Sequence, residues 1–308
     1  MLDLVMGGPD ISGKTSQINA LIEILKSKGR IVRDLRGGEI EALFHAEIFQ
    51  EINQNYSSFK EYISSENKDY KIFAIMFNII EGSGGTNQDL KFASMIKNNC
   101  STYINPDSAD VWIMEEPTKR GAGLENRFIE QHRSQWGSEM NPIAAAYNHQ
   151  SYRTEEFLRF RKPLREAGKI ILRSRSEESA PYQIYDKRYL PNGIKLKDYL
   201  TLPGHQIAFA NPPTHIFIVC GPKNWTKKAY IELISQRSNG RAFDDHETNA
   251  EYQILINRRY ATDWLEKLYE QGCKMYNAKF PKIERFNIYD TKEKILSQMK
   301  ERLEKILC

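Results

Sequence analysis

Cysteine is scarce in this 308-residue chain, and Cys100, Cys220, Cys273 and Cys308 lie far apart, with no CxxC pair and no zinc-like interval. No disulfide framework or zinc module is legible in that spacing, and it points to a reduced, cytoplasmic setting. Long hydrophobic runs are missing as well. No segment reaches the ~18 apolar residues of a membrane span, and the opening MLDLVMGG has no basic n-region. The expectation is a soluble protein with no membrane partner. A strong charge of one sign is also lacking, because 44 Lys and Arg against 40 Asp and Glu leave only +4. That mild excess suits a phosphate-handling enzyme and is too diffuse to signal nucleic-acid binding. His45, His132, His149, His205, His215 and His246 form no HExxH or comparable spacing, and no GxSxG elbow occurs. Histidine-held metal and covalent hydrolase chemistry therefore have no support.

The residues present are organised as short apolar runs alternating with helical patterns. Leu2 to Met6 is apolar and stops at Gly7 and Gly8, and Thr15 to Lys28 then sets Ile18, Leu21, Ile22 and Leu25 on one helical face. Gly29 ends that helix, and Arg30 to Leu35 is a candidate second strand. Further strands are expected at Asp110 to Met114, Ile170 to Leu172 and His215 to Cys220. Helices are expected at Ile143 to Ala167 and from about Thr291 to Leu307. The segment EGSGGTNQ, Glu81 to Gln88, is glycine-rich but lacks a following Lys-Thr, so it reads as an ordinary loop. Strands alternating with helices predict an α/β fold with a parallel sheet covered on both faces, ligands binding beyond the carboxyl ends of the strands.

Gly8-Pro9-Asp10-Ile11-Ser12-Gly13-Lys14-Thr15 satisfies GxxxxGK[ST], with a strand before it and a helix after it. A polyphosphate concentrates negative charge, and converging backbone N–H groups at a helix N-terminus form a cradle for it. Gly8, Gly13, Lys14, Thr15 and Ser16 are the candidate residues for binding ATP, with Lys14 on the β- and γ-phosphates and the Thr15 hydroxyl on Mg²⁺. Asp10 lies inside this loop, where a carboxylate needs a compensating cation or a hydroxyl to orient. Glu116 follows an apolar strand, where it could orient a sugar hydroxyl, hold a metal-bound water or simply cap a helix. Arg153, Arg159, Arg161 and Arg165 stud one helical segment, part of which is expected to be solvated charge. Arg175 stands just past a strand end, where a guanidinium is well placed for phosphate. The run Gln236 to Arg241 precedes Asp244, Asp245 and Glu247 and reads either as a lid delivering Arg237 and Arg241 or as a hydrophilic surface loop.

Taken together, these segments resemble the thymidylate kinase family of nucleoside monophosphate kinases. GGPDISGKTSQ is similar to its GxDGxGKTTQ, EEPTKRGAG to its REPT turn, and SRSEESAPYQ to DRYxxSxxAYQ, with Glu115 and Ser174 departing from the family's arginine and aspartate. The resemblance covers most of residues 1–19 and then 111 to about 264. It implies a P-loop NTPase three-layer sandwich with a parallel sheet flanked by helices, often dimeric, formed here by residues 1–36 and 111–308. Residues 37–110 read as an inserted, mostly helical segment. The implied reaction moves the γ-phosphoryl group of ATP, with Mg²⁺, to a nucleoside monophosphate, dTMP being the family's acceptor. Lys14 would neutralise the donor phosphates, Arg153 and Arg175 would hold the acceptor phosphate, and Tyr182 or Gln183 would hold the base. Asp10, Arg237 and Arg241 complete the implied catalytic set, and Glu116 the substrate-binding one. A P-loop nucleotide-binding or regulatory module, or a deoxynucleoside kinase, is the alternative.

Overall fold

The computed structural model describes residues 1–10, 12–36, 104–116, 142–237 and 249–307. Its centre is β1, Leu2–Gly7, whose six residues are all buried. Alternation along the strand sends Leu2, Leu4 and Met6 to one face, against Ile18, Leu21, Ile22 and Leu25 of α1 (Lys14–Ser27). The helical spacing in the sequence thus marks the buried stripe. Each such side chain removed from water stabilises the packing by roughly 1.5–3 kcal/mol. Val5 points to the opposite face and joins a second core.

Five more strands complete the sheet: β2 (Val32–Asp34), β3 (Val111–Glu115), β4 (Ile170–Ser174), β5 (His215–Cys220) and β6 (Lys282–Asn287). Their order is β2-β3-β4-β1-β5-β6 and every pairing is parallel. The chain goes from β1 out to the β2 edge, returns through β3 to β4 beside β1, and then continues on the other side through β5 and β6. β1 therefore sits at the switch point where a doubly wound sheet opens a crevice at its carboxyl edge.

Nine α-helices are described. After α1 come α2 (Pro142–Glu156), α3 (Lys162–Glu166), α4 (Leu196–Thr201), α5 (Pro203–Ala210), α6 (Lys227–Arg237), α7 (Ala250–Ala261), α8 (Trp264–Met275) and α9 (Lys292–Leu307). α1, α6 and α9 cover one face of the sheet, through Tyr230, Leu233, Ile295, Met299 and Leu303 among others. α5, α7 and α8 cover the other through Phe209, Ile256, Leu268 and Tyr269, while Phe160 and Leu164 pack on Trp112 and Ile171. The result is a three-layer α/β arrangement. Among the described residues no helix is long and apolar enough to cross a membrane.

One sequence expectation is modified, and one strand is added to those expected. The helix expected over Ile143 to Ala167 is interrupted by a π-turn, Phe157–Arg161, between α2 and α3, in which the Lys162 amide donates to the Phe157 carbonyl. Pro163 has no N–H for an ordinary helical bond, and a wider turn just ahead of it accommodates the loss. β6 was not anticipated, because KIERFN is an edge strand with only Phe286 fully buried and carries no long apolar run. Residues 104–110, the described end of the segment read as an insertion, make a short 3-10 turn, Pro106–Ser108, that leads directly into β3. Ala109 is buried there, and the Asp110 carboxylate accepts a hydrogen bond from the Ile31 amide at 2.9 Å. Residues 37–103 lie outside the described residues.

Candidate functional site

Three strand ends meet at the carboxyl edge beside β1. The Arg175 amide donates to the Met6 carbonyl at 3.0 Å, and the Glu116 amide donates to the Ser174 carbonyl at 2.8 Å. Glu116, Arg175 and the Gly8–Thr15 loop are therefore brought to one crevice by strand pairing, although up to 167 positions separate them in the chain.

The loop itself has the backbone that its sequence requires. Gly8 has φ 132°, and a Cβ there would lie 2.3 Å from the Val219 carbonyl oxygen of β5. Gly13, at φ 81°, is the left-handed residue that turns the chain into α1. Lys14 opens the helix and folds its ammonium back over the loop, donating to the Gly8 and Pro9 carbonyls at 3.1 and 2.8 Å and to Ser12 Oγ at 3.3 Å. Gln17 fastens the same loop through its Nε2, which donates to the Ser12 carbonyl at 3.0 Å. The Thr15 and Ser16 side chains are exposed, and no acidic residue stands in the first turn of α1. An anion at this helix start thus meets a cation, a helix dipole and no competing carboxylate from the helix.

Asp10 has the compensating partners that its position requires. Its Oδ1 accepts from Arg175 Nη2, and its Oδ2 accepts from Gln253 Nε2 of α7 at 3.0 Å. Arg175 is held in a left-handed conformation, φ 68°, which is uncommon for a side-chain-bearing residue and is maintained only where surrounding structure enforces it. Its guanidinium lies 5.2 Å from the centre of the Tyr182 ring. Burial pulls the Arg175 pKa down, but the Asp10 carboxylate more than reverses this and leaves it well above the usual value. Tyr182 makes edge contacts with Tyr252 and Tyr260, with ring centres 6.1 and 6.4 Å away. Gln183 is buried, and its Oε1 has no hydrogen-bond partner among the described residues.

Arg153 is buried and committed to four partners. It donates through Nε to Glu116, through Nη1 to the Tyr199 hydroxyl at 3.1 Å and towards His205 Nε2 at 2.8 Å, and through Nη2 to the Ser176 carbonyl at 3.0 Å. Burial and the neighbouring Arg153 cation both push His205 well below the ordinary histidine range, so it stays neutral and can accept. Glu116 also accepts from the Tyr152 hydroxyl at 2.9 Å, and His149 lies 2.6 Å from the same hydroxyl. Arg153 thereby fixes the buried Glu116 at the end of β3.

The other arginines of this segment are mostly not solvated charge. Arg161 and Arg165 meet Asp3 of β1 at 3.2 and 2.8 Å, and Arg161 also meets Glu177 at 3.1 Å. Arg173 of β4 meets Asp3 at 2.9 Å. Only Arg159 of the four keeps to a partly exposed helix pair, with Glu155 at 3.0 Å. Arg237, at the end of α6, donates to the Ile288 carbonyl beyond β6 at 2.7 Å, two strands away from β1. Arg241, Asp244, Asp245 and Glu247 lie outside the described residues, as do Pro117, Thr118 and Arg127.

Two polar residues at the crevice were not singled out from the sequence. Gln253 steadies Asp10 from α7. Glu178, on the 3-10 turn Glu177–Tyr182 after β4, is fully buried beside Gly7, where a Cβ would lie 3.0 Å from its carboxyl carbon. Its Oε2 accepts from the Tyr260 hydroxyl at 3.1 Å and from Ser179 Oγ at 3.2 Å, and its Oε1 has no partner among the described residues. Burial pushes its carboxyl up to about 7, with the Glu116 charge adding to the rise and the Arg175 and Lys14 cations opposing it. The SRSEESAPYQ segment contains Glu178, but nothing in its local pattern separates it from Glu177, which is neutralised by arginines. No protein-family model matches this chain, and no curated protein does so either.

Proposed function

We propose that this chain is an ATP-dependent nucleotide kinase, transferring the γ-phosphoryl group to a nucleoside monophosphate, with dTMP the best candidate acceptor. The observation that carries the reading is the closeness of two phosphate-competent groups: the Gly8–Thr15 loop with Lys14 at the start of α1, and the Arg175 guanidinium on the loop's own Asp10. Phosphoryl transfer needs little covalent help from the protein and depends on placing donor and acceptor in line while neutralising charge. Lys14 leaves its loop carbonyls to meet the donor's β- and γ-phosphates. Arg175 turns its fork from Asp10 to the acceptor phosphate, a bidentate contact that lysine cannot reproduce. Tyr182 offers a ring face and Gln183 an amide for a base.

The Thr15 hydroxyl, exposed at the first turn, would hold Mg²⁺, and the unpartnered Oε1 of Glu178 supports a cation in the crevice. Such an ion supplies charge neutralisation across the phosphates. A deoxynucleoside acceptor is the second reading. It is favoured by Asp10 already neutralising Arg175, since a nucleoside brings no phosphate to displace that carboxylate. Incubation with γ-labelled ATP and a panel of nucleosides, NMPs and dNMPs separates the possibilities. Label on dTMP alone is the expected result. Label on a nucleoside selects the second reading, and slow phosphate release with every acceptor rejects both in favour of a binding or regulatory module.

A further inference from the structure

We propose that Glu178 is the carboxylate that engages the divalent cation accompanying a bound nucleoside triphosphate, at an edge of the sheet where Ser174 supplies no charge. The proposal rests on the donor half of the reading above, nucleotide binding by the Gly8–Thr15 loop. Three observations point to it. Asp10 and Glu116 each carry a guanidinium in this crevice, from Arg175 and Arg153, whereas Glu178 has no such ion pair among the described residues. Its Oε1 is buried without a hydrogen-bond partner, an arrangement that destabilises a fold unless another species completes it in the working state. Gly7, immediately before the loop, is also cut to fit it. A Cβ on Gly7 would lie 2.6 Å from Ile218 Cδ1 of β5, 3.0 Å from the Glu178 carboxyl carbon and 3.1 Å from Oε1, so glycine makes room for both side chains beside the last residue of β1.

The groups packed around Glu178 agree with a role at bound phosphates. The charges of Lys14 on α1, Arg175 after β4 and Glu116 at the end of β3 act on it, and the Tyr260 hydroxyl of α7 touches it. Two cations near an unpaired carboxylate balance its charge only until the phosphates draw them away. At that point Oε1, beside Gly7 at the end of β1, gains a partner if a hard divalent cation arrives with the nucleotide, since such ions take oxygen ligands and usually keep several waters. Among the described residues no group of three His, Cys, Asp or Glu side chains could hold a metal alone. The cation is accordingly expected to come with the phosphates.

Calorimetric titration of a non-hydrolysable ATP analogue, in Mg²⁺ and in EDTA, tests this on the full chain. The parent is expected to bind more tightly with Mg²⁺. Glu178→Gln keeps the shape and can still accept from Tyr260, and it is expected to lose about tenfold or more of the Mg²⁺-dependent gain while its affinity in EDTA stays the same or improves. Tyr260→Phe, which removes the hydrogen bonds to Oε2 and to the Glu178 carbonyl but keeps the carboxylate itself, is expected to keep the gain. Electron paramagnetic resonance of Mn²⁺ with the analogue gives a second readout, and the parent spectrum should change in Glu178→Gln. Should that variant fail to fold by circular dichroism, Glu178→Asp, which keeps the charge and withdraws it by one methylene, replaces it with the same expected loss. An unchanged ratio of Mg²⁺ to EDTA affinities in the substituted protein overturns the role of Glu178 and leaves nucleotide binding standing. A parent that binds no analogue in either buffer overturns the donor-site reading and this proposal with it.

Discussion

Gly8 meets two demands that no other residue can satisfy together: φ is 132°, and the Val219 carbonyl oxygen stands 2.3 Å from where a Cβ would be. Backbone on the neighbouring strand cannot swing aside as a side-chain end can. Gly8→Ala is therefore expected to lower stability by about 1–3 kcal/mol in urea unfolding and to abolish calorimetric ATP binding. Lys14→Ala should also lose ATP affinity, through the missing counter-charge and through release of the loop carbonyls that the ammonium now gathers. Equal affinity in mutant and parent would remove Lys14 from the donor site. Arg175→Lys is expected to raise the acceptor KM and leave the ATP KM nearly unchanged, which initial-rate kinetics with each substrate varied will show. A matching rise in the ATP KM would mean that Arg175 serves the donor instead.

Glycines act differently between elements, where they set how closely helices cross. α5 passes over α2 at Gly204, and a Cβ there would lie 2.1 Å from the Gln150 carbonyl oxygen; it meets α8 at Gly272, where a Cβ would lie 2.4 Å from the Phe209 ring. The first obstacle is backbone and the second a side chain that itself lies in the core. This crossing is what carries Tyr199 and His205 up to Arg153, and through Arg153 to Glu116. Gly204→Ala is expected to destabilise the fold by about 1–3 kcal/mol and to loosen Glu116, seen as faster exchange of the Glu116 amide that is bonded to β4. Unchanged melting and exchange would show that α2 and α5 can separate without disturbing the site.

At the scale of the whole molecule, the largest buried charge assembly among the described residues lies away from the crevice and ties its layers together. Asp3 of β1 carries Arg173 of β4 and Arg161 and Arg165 from the π-turn and α3, and Glu177 joins through Arg161. Burial alone would raise the Asp3 and Glu177 carboxyls. The surrounding guanidinium groups outweigh it, holding Asp3 well below the usual carboxylate range and Glu177 at about 2. Both groups are thus more acidic folded than unfolded, where ordinary values are 3.8 and 4.5. Their stabilisation is complete above about pH 4.5 and is lost as pH falls through the folded values. Unfolding free energy should accordingly drop steeply between pH 4.5 and 2. Asp3→Asn leaves Arg161 and Arg173 to share Glu177 and takes from Arg165 its carboxylate, and is expected to cost about 3–5 kcal/mol at pH 7 while flattening the acid limb of the curve. An acid limb as steep as the parent's would assign acid unfolding to other carboxylates.

What the sequence determined by itself was local: the GxxxxGKT loop between strand and helix, the apolar face of α1, β5 over its full length, and α9 to within a residue or so of its start. Periodicity and glycine placement act over a few residues and need no knowledge of what lies opposite. The α/β class followed from the alternation of those runs, whereas β6, with its charged outward residues, left no such mark. Only the tertiary structure decided which charges count. Asp3 and Arg173 are 170 positions apart, and Asp10 and Gln253 are 243 apart. Glu177 and Glu178 are adjacent in the chain, yet one is held ionised by arginines and the other is pushed up to about 7 against Gly7. A carboxylate's state is set by burial and by the charges within a few ångströms of it, and those are supplied by strand order rather than by neighbours in sequence.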